Sequence, residues 1–484
     1  MIADTRATIR NAGFLVLQRG FHVLAGLLFA ILIPRAMGPE TFGRFALLSS
    51  ISGWFTLFTG LGAVSMMTRF VPQFLFKGDR PGLRKLVSNL FALRLASGLL
   101  EAVLCLLLAT VWLRELDWIA VAFVAGAIMV RSSGNLFFTL FLGLNEAARW
   151  GMGELLRRWL SVIFVLTGFV VGGLRGACLG LLLTNLGVLA LGLWWGHPYL
   201  QRTELRVDRT YLLPFLRVGA AFAAGNGILA LTQRTGEALV RVASGDYAQV
   251  AYFSASYAVY LTAEQGFSQF SVAFAPLLTT LSVQGRRETL KEWIERLLKW
   301  MTIGAVAAVF AVLIVGEDVV PLVLGARYRA VTANMLPLTI ALLALALGSV
   351  GRLLTLVFEQ PRIAAIAAAI EFVGLWCVGL PLAASWGSYG ASIAVAIAAA
   401  FYATFLTWRM SRELQFSLRP WLGAIGLAVV FLPLALLRAS ALVNAALYAA
   451  FLAGYAALLV WLRVVTWGEA QAVRESLRRQ VSPQ

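Results

Sequence analysis

The chain has 484 residues, of which 60% are hydrophobic and 13% are charged, and its mean hydropathy is +0.83. These values exclude a soluble globular domain and indicate a polytopic membrane protein. The formal net charge of +17 does not indicate nucleic-acid binding, because the basic residues alternate between connections along the chain instead of forming one soluble patch.

Apolar stretches of about 20 residues, each long enough to cross a ~30 Å hydrocarbon core, recur along the chain and predict about fourteen transmembrane helices. Their predicted first residues are Asn11, Phe45, Leu86, Trp118, Trp150, Gly176, Tyr211, Val250, Lys299, Met335, Ile363, Tyr389, Pro420 and Ala441. The first stretch lacks the small-residue cleavage site of a signal peptide, so we expect it to be retained.

The Lys and Arg residues of the short connections predict the topology. If every stretch spans the membrane, most of these residues fall on one side, in a ratio of roughly three to one. The positive-inside rule makes that side cytoplasmic, and both termini are then expected in the cytoplasm.

Four polar residues on the first predicted span recur at the same mutual spacing on the seventh. The two sets are Asn11, Gln18, Arg19 and His22, and Asn226, Gln233, Arg234 and Glu237. Steps of about seven and four residues place each set on one helix face. Because an arginine at the bilayer centre costs about 2.5 to 3.5 kcal/mol, we expect each stripe to face protein or a hydrated cavity.

Two further matches follow in the same order, pairing residues 38–43 with 245–247 and residues 77–84 with 284–291. Together they predict an internal repeat. An even number of helices in each copy makes the repeat parallel, with two six-helix lobes and two trailing helices. The predicted bounds are 1–205 for the first lobe, 206–415 for the second, and 416–484 for the trailing helices and tail. Residues 288–300 predict a separate amphipathic helix on the cytoplasmic surface.

Nothing in the sequence indicates a metal site, a cofactor or an enzyme. Cys105, Cys178 and Cys377 lie inside apolar stretches, without the spacing of a disulfide framework or a metal site. No catalytic triad or paired-carboxylate spacing occurs, and two histidines leave little general-base capacity. We therefore expect a protein that binds or moves its ligand.

Several segments carry a resemblance to a known family. They are residues 34–45 (Pro-Arg-Ala-Met-Gly-Pro-Glu-Thr-Phe-Gly-Arg-Phe), 69–72 (Arg-Phe-Val-Pro) and 325–328 (Gly-Ala-Arg-Tyr). With the fourteen-span layout, they resemble the Wzx-type polysaccharide-biosynthesis flippases of the multidrug/oligosaccharidyl-lipid/polysaccharide exporter (MOP) superfamily. The resemblance implies movement of undecaprenyl-diphosphate-linked oligosaccharide, an O-antigen precursor, across the bacterial inner membrane by alternating access. It also implies membrane lipids, a polysaccharide polymerase and chain-length proteins as partners, and no nucleic acid.

Three alternatives remain open. Lipid II flippases resemble this fold but carry an Arg and an Asp together in helix one, whereas Arg19 stands between Gln18 and Gly20. Cation-coupled drug or small-molecule exporters of the superfamily usually rely on acidic residues in the lobes. A membrane polymerase or ligase would need catalytic residues on a substantial external loop, where the first connection offers only Glu40.

Arg19 and Arg234 are the first candidates for binding the diphosphate, because guanidinium groups pair with phosphate oxygens bidentately. Arg94 and Arg131 are expected to extend this cationic lining, unless Glu101 pairs with Arg131 in a structural ion pair. The amide residues of the two stripes are predicted either to bind sugar hydroxyls or to join helices. They are Asn11, Gln18, Asn226 and Gln233.

Four residues are candidates for ion coupling: His22, Glu237, Glu264 and Glu371. Ionisable groups inside a membrane are costly and mark ion pathways when they are not neutralised. Arg241 or Arg352 is expected as the neutralising partner of Glu264 and Glu371, and packing is the alternative role for His22.

Overall fold

The computed structural model describes residues 5–59, 63–112, 114–144, 146–200, 207–437, 439–462 and 464. This part of the chain is all-helical, without strands, and nine of its helices are long and apolar enough to cross a membrane. The helices are α1 (Thr5–Thr59), α2 (Ala63–Phe76), α3 (Arg80–Trp112), α4 (Trp118–Gly143), α5 (Ala147–Gly196), α6 (Arg209–Ser244), α7 (Tyr247–Val272), α8 (Ala275–Val283), α9 (Arg287–Leu324), α10 (Ala330–Val357), α11 (Pro361–Leu414), α12 (Arg419–Val429), α13 (Leu432–Leu436) and α14 (Ala441–Trp461). The predicted all-α membrane fold is confirmed.

Helices α1, α5 and α11 each contain a sharp reversal at a glycine. In α1 it lies at Gly38, with φ of 73°. The rings of Phe29 and Phe45, on either side of it, are 6.4 Å apart, whereas sixteen positions of straight helix would separate them by about 24 Å. The reversals at Gly173 and Gly387 have φ of 56° and 57°, a region that glycine enters without steric cost.

Each of these helices is therefore a hairpin of two antiparallel segments. Counted in this way, every predicted span has a helix of its own. The spans predicted from Asn11 and Phe45 are the two arms of α1, those from Trp150 and Gly176 are the arms of α5, and those from Ile363 and Tyr389 are the arms of α11.

The chain divides into two compact units, Met1–Ala255 and Ser256–Gln484. In the first unit, a buried core joins α2, α3, α4 and the start of α6, with Met67, Leu86, Phe137 and Leu212 each 0% exposed. Helices α6 and the first turns of α7 belong to this unit. The lobe boundaries predicted after residues 205 and 415 refer to the internal repeat and not to these two units. They stay a prediction.

The second unit has two cores on opposite ends of α9. The first packs α9 against α8, α10 and the end of α11, around Ile294 and Leu354. The second packs α9 against α12 and α14, where the rings of Phe310 and Phe451 stack with centroids 4.0 Å apart. The trailing helices thus pack on α9 of the second unit.

Backbone geometry supports the internal repeat. Gly78 and Gly285 have φ of 67° and 68°. In both turns the glycine N–H donates to the carbonyl three positions back and the next N–H to the carbonyl five positions back, at 3.0 to 3.1 Å. The turns that end at Glu146 and Gln360 share a 2.8 Å bond to the carbonyl five positions back. The same turns recur in the same order in each unit.

The predicted surface helix is not separate. Residues 288–300 are the first turns of α9, and the helix continues without a break to Leu324. Its amphipathic character is confirmed, since Leu290, Ile294 and Leu297 are buried. A helix of 38 residues is about 57 Å long, so one continuous helix contains both the predicted surface segment and the predicted ninth span.

Candidate functional site

Part of the predicted polar stripe lies outside the described side chains. This holds for Asn11, Gln18, Arg19 and His22 on α1 and for Asn226 on α6. The roles assigned to them stay predictions. The other predicted residues are described, and most of them fall into two groups, one in each unit.

Arg234 is held on α6 by the second arm of α1. Its backbone carbonyl accepts hydrogen bonds from the Ser50 hydroxyl and from the Trp54 indole N–H. Its side chain lies along Gly53, where an added Cβ would be 3.0 Å from the Arg234 Cδ. The glycine therefore leaves room for the side chain, and Arg234 as a whole remains exposed.

Four guanidinium groups come together in the first unit. Arg131 on α4 lies close enough to Arg157, Arg158 and Arg234 for their charges to repel, and Arg158 also interacts with Arg234. We call these four residues the arginine cluster. The sequence predicted Arg131 and Arg234 as ligands of one substrate, and the structure brings them together within a single unit.

Little negative charge offsets the arginine cluster. Glu154 accepts from Nη1 of Arg157 at 3.2 Å, and Nη2 of Arg157 donates to the uncharged amide oxygen of Asn135. The Nε atoms of Arg131 and Arg157 are buried, and in the described part of the chain neither has a hydrogen-bond partner. Because an uncompensated buried cation is costly, such a cluster is best satisfied by an anionic ligand.

Close packing of α4 on α5 positions the cluster. Gly153 lies so near the Phe138 ring that an added Cβ would overlap it. At Gly134 an added Cβ would lie 3.4 Å from the backbone of Leu189. The two helices therefore approach almost backbone to backbone, which sets Arg131 and Asn135 beside Arg157.

Sequence reasoning missed Arg157 and Arg158. It treated them as topology-determining charges near the start of the span predicted from Trp150, whereas they lie well inside the candidate span Ala148–Tyr199. The available signal was Glu154, three positions before Arg157, which indicates a pair on one helix face. No pattern in the sequence indicated Ser50, Gly53 or Trp54.

Glu237 lies one turn after Arg234 on α6. Its two carboxylate oxygens accept from the hydroxyls of Ser50, at 3.1 Å, and Ser254, at 3.3 Å, and its charge interacts with that of Arg234. Gln233 is half-buried beside them. The predicted ion-coupling residue is thus hydrogen-bonded to α1 and α7 and lies one turn from Arg234.

Arg94 and Glu101 are both buried on α3, with 6% and 3% exposed, and their charges attract each other along the helix. The alternative ion pair between Glu101 and Arg131 was wrong. Both carboxylate oxygens of Glu101 lack a hydrogen-bond partner among the described residues, and the charged neighbours of Arg131 are those of the cluster and Glu154. Arg94 is therefore a buried residue of α3 and is not part of the arginine cluster.

The second unit holds the acidic pair Glu264, on α7, and Glu371, on α11. Their charges repel each other, and Arg352 on α10 opposes that repulsion. One oxygen of Glu371 is buried without a hydrogen-bond partner in the described structure. The predicted neutralising role of Arg352 is supported, while that of Arg241 was wrong.

Arg241 has other partners in the first unit. It donates to Glu115 at 2.6 Å and lies 4.2 Å from the ring centroid of Tyr247. Among the described residues, no group of three or more His, Cys, Asp or Glu side chains is arranged to hold a metal ion.

The sequence matches no family model and no curated protein, but several solved structures are similar. The lipid II flippase MurJ, in an inward closed conformation, superposes with a TM-score of 0.70 at 13% identity, covering 94% of this chain and 100% of that one. An inward-facing multidrug resistance MATE family transporter of the MOP superfamily gives 0.65 at 15% identity, covering 82% and 94%. A MOP superfamily transporter from Pyrococcus furiosus gives 0.54 at 13% identity, covering 84% and 95%. This chain therefore has the fold that these MOP-superfamily proteins share.

Proposed function

We propose that the protein is a flippase that moves an undecaprenyl-diphosphate-linked oligosaccharide across the bacterial inner membrane by alternating access. The observation that carries the proposal is the arginine cluster of the first unit, in which four guanidinium groups gather beside few carboxylates. The shared fold with a lipid II flippase supports a transporter of this kind.

The chemistry of the substrate calls for such a site. A lipid-linked diphosphate carries about two negative charges, and each of its sugar hydroxyls costs several kcal/mol in hydrocarbon when left unpaired. Guanidinium groups offer paired N–H donors to phosphate oxygens. Arg131 and Arg234 would hold the diphosphate, Arg157 and Arg158 would add positive charge, and Arg19 would join them from α1.

Amide groups near the cluster suit the sugar part of the substrate. Gln233 is next to Arg234 on α6, and Asn135 holds Arg157 without adding a charge. We include Gln18, Asn11 and Asn226 in the same role because they share the predicted stripe. The protein would act without a cofactor and without covalent chemistry.

A cation-coupled exporter is the second candidate, and the acidic pair Glu264 and Glu371 favours it. Similar MATE structures share the fold. In that case transport would depend on the carboxylates and not on the arginine cluster. In the flippase, Glu264, Glu371, Glu237 and His22 would serve only to couple turnover to an ion gradient.

A complementation assay separates the two. The chain is expressed in a bacterial strain that lacks its own O-antigen flippase, and surface polysaccharide is scored at matched protein levels. We expect Arg131→Ala and Arg234→Ala to lower export by at least about tenfold, the effect of losing one charge-assisted phosphate contact. The matched control Arg80→Ala removes an exposed arginine at the start of α3 and should leave export unchanged.

The flippase and the cation-coupled exporter predict different results in this assay. Export that survives both cluster variants but is abolished by Glu264→Gln would overturn the flippase and favour the exporter. Arg234→Lys is expected to recover part of the export, because a lysine keeps the charge but not the bidentate geometry.

A further inference from the structure

An apolar groove of about 270 Å³ lies in the second unit, between α7, α9 and α10. Its walls are formed by residues 256–263, 308–320 and 335–342 of these helices. All three helices belong to candidate membrane spans. The groove is partly open to the outside, with Val259 and Val319 exposed by 47% and 46% at its rim.

Small side chains give the groove its depth. The groove is lined by Ala308, Ala311 and Gly316 of α9 and by Ala263 of α7, where larger residues would fill the space. The few polar groups in the lining, such as Thr339, are outnumbered by aliphatic ones. Because an apolar cavity offers water too few hydrogen bonds, hydrocarbon is the favoured occupant inside a membrane.

Two arginines lie near one end of the groove; of the two acidic residues there, Glu317 and Asp318, neither lines the groove, and Asp318 accepts from Asn444 of α14 at 2.7 Å. The Thr332 hydroxyl donates to the Gly316 carbonyl at 3.4 Å, so the connection between α9 and α10 lies at the Gly316 end. That connection contains Arg327 and Arg329, both exposed. Within the described part of the chain, neither guanidinium has an ion pair or hydrogen bond of its own.

We infer that this groove binds an anionic phospholipid, with part of one acyl chain between α7, α9 and α10 and the phosphate on Arg327 and Arg329. The volume corresponds to about nine groups the size of a water molecule, and a methylene group is close to that size. Part of a straight acyl chain fits such a space. The inference does not depend on the proposed function.

The test is native mass spectrometry of the purified full chain, after equilibration with vesicles of phosphatidylglycerol and phosphatidylcholine in equal amounts. We expect the wild type to retain one phosphatidylglycerol in preference to phosphatidylcholine by about thirtyfold, the effect of two arginines beside one phosphate. Ala311→Phe, which fills the groove, should lose this lipid. The matched control Ala445→Phe changes an exposed position of α14 and should retain it.

A second variant tests the charged end. Arg327→Gln with Arg329→Gln alters only exposed side chains, so it leaves packing intact, and it should remove the preference for phosphatidylglycerol. Equal retention of the two lipids by the wild type would overturn the inference. So would retention of phosphatidylglycerol by Ala311→Phe at the level of Ala445→Phe, or an unchanged preference in the double arginine variant.

Discussion

Asn135 on α4 accepts a hydrogen bond from Nη2 of Arg157 on α5. The bond fixes the guanidinium of Arg157 between Asn135 and Glu154, beside the charge of Arg131. An amide oxygen satisfies a donor without adding negative charge. The arginine cluster can therefore be ordered by a protein partner and still keep its positive charge for a ligand.

Replacing Asn135 by aspartate tests this arrangement. The side chain keeps its size, but its new charge pairs with Arg157 and competes with an anionic substrate. We expect Asn135→Asp to lower polysaccharide export by about tenfold, in line with the ~1.5–3 kcal/mol of a hydrogen bond to a charged group. The measurement is the complementation assay at matched protein levels. Asn135→Ala removes the bond without adding charge, and an equal loss in that variant would show that charge is not the cause.

Because Arg352 opposes the repulsion between Glu264 and Glu371, we expect substitutions of Arg352 and Glu371 to have coupled effects on the free energy of unfolding. Arg352→Gln leaves Glu264 and Glu371 without the positive charge that opposes their repulsion. We expect a loss of about 2 kcal/mol in the free energy of unfolding, below the 3–5 kcal/mol of fully buried pairs, because the three side chains are half-buried. Adding Glu371→Gln should recover part of the loss. Thermal unfolding in detergent gives the double-mutant cycle, and strictly additive effects would contradict the interaction.

Asp208 lies at the start of α6, and we expect its contribution to the stability of the protein to depend on pH. Its carboxylate accepts the Tyr211 N–H at 3.0 Å and lies 3.6 Å from Nζ of Lys85. These contacts, the hydrogen bond first, hold the pKa of Asp208 below its ordinary value. Its stabilising contribution is therefore complete above the ordinary pKa of about 3.9 and is lost as the pH falls through the lower folded value.

The comparison uses Asp208→Asn, which keeps an oxygen for the Tyr211 N–H but removes the charge. We expect the wild type to melt above this variant at pH 7, and the difference to shrink as the pH falls below about 4 and to vanish below the lower folded pKa of Asp208. Thermal unfolding followed by light scattering and tryptophan fluorescence measures it. A difference that does not shrink at all between pH 7 and about pH 2 would mean that the charge of Asp208 is not responsible.

The hairpin of α5 offers a matched pair of glycines. Gly173 has φ of 56° and ψ of −138°, while its neighbour Gly172 has φ of −134°, and an added Cβ would meet nothing within 4 Å at either position. Gly173→Ala is expected to destabilise by about 1–3 kcal/mol through backbone strain alone. Gly172→Ala should lie within about 0.5 kcal/mol of the wild type. Equal losses in thermal unfolding would contradict a conformational requirement for glycine.

The spans could be predicted because a membrane requires long apolar runs. Helices α4 and α14 begin at Trp118 and Ala441 as expected, directly after Asp117, whose side chain caps the first turn, and after Ser440. The start of α9 was misplaced by about three turns, since charged residues before Lys299 were assigned to a separate helix. Hydropathy cannot distinguish a helix that ends at the membrane surface from one that continues beyond it.

The grouping of polar side chains could be predicted only in part. Arg234 was recognised through its match with Arg19 in the repeat, and Arg131 as an extension of the same cationic lining, but nothing in the sequence says which helix faces meet. Arg157 and Arg158 look like ordinary charges at a helix start. Their role depends on the packing of Gly153 on Phe138, which is a three-dimensional fact that no spacing rule contains.

The glycine reversals of α1, α5 and α11 have a practical consequence for mapping orientation. An antiparallel pair that turns on one residue exposes no stretch into which an epitope or a protease site can be inserted without breaking both arms. Reporter insertions are better placed in wider turns, such as that at Gly285, where an added Cβ would meet nothing within 4 Å. Labelling there, with intact and opened cells compared, would reveal which face of the bilayer that turn occupies.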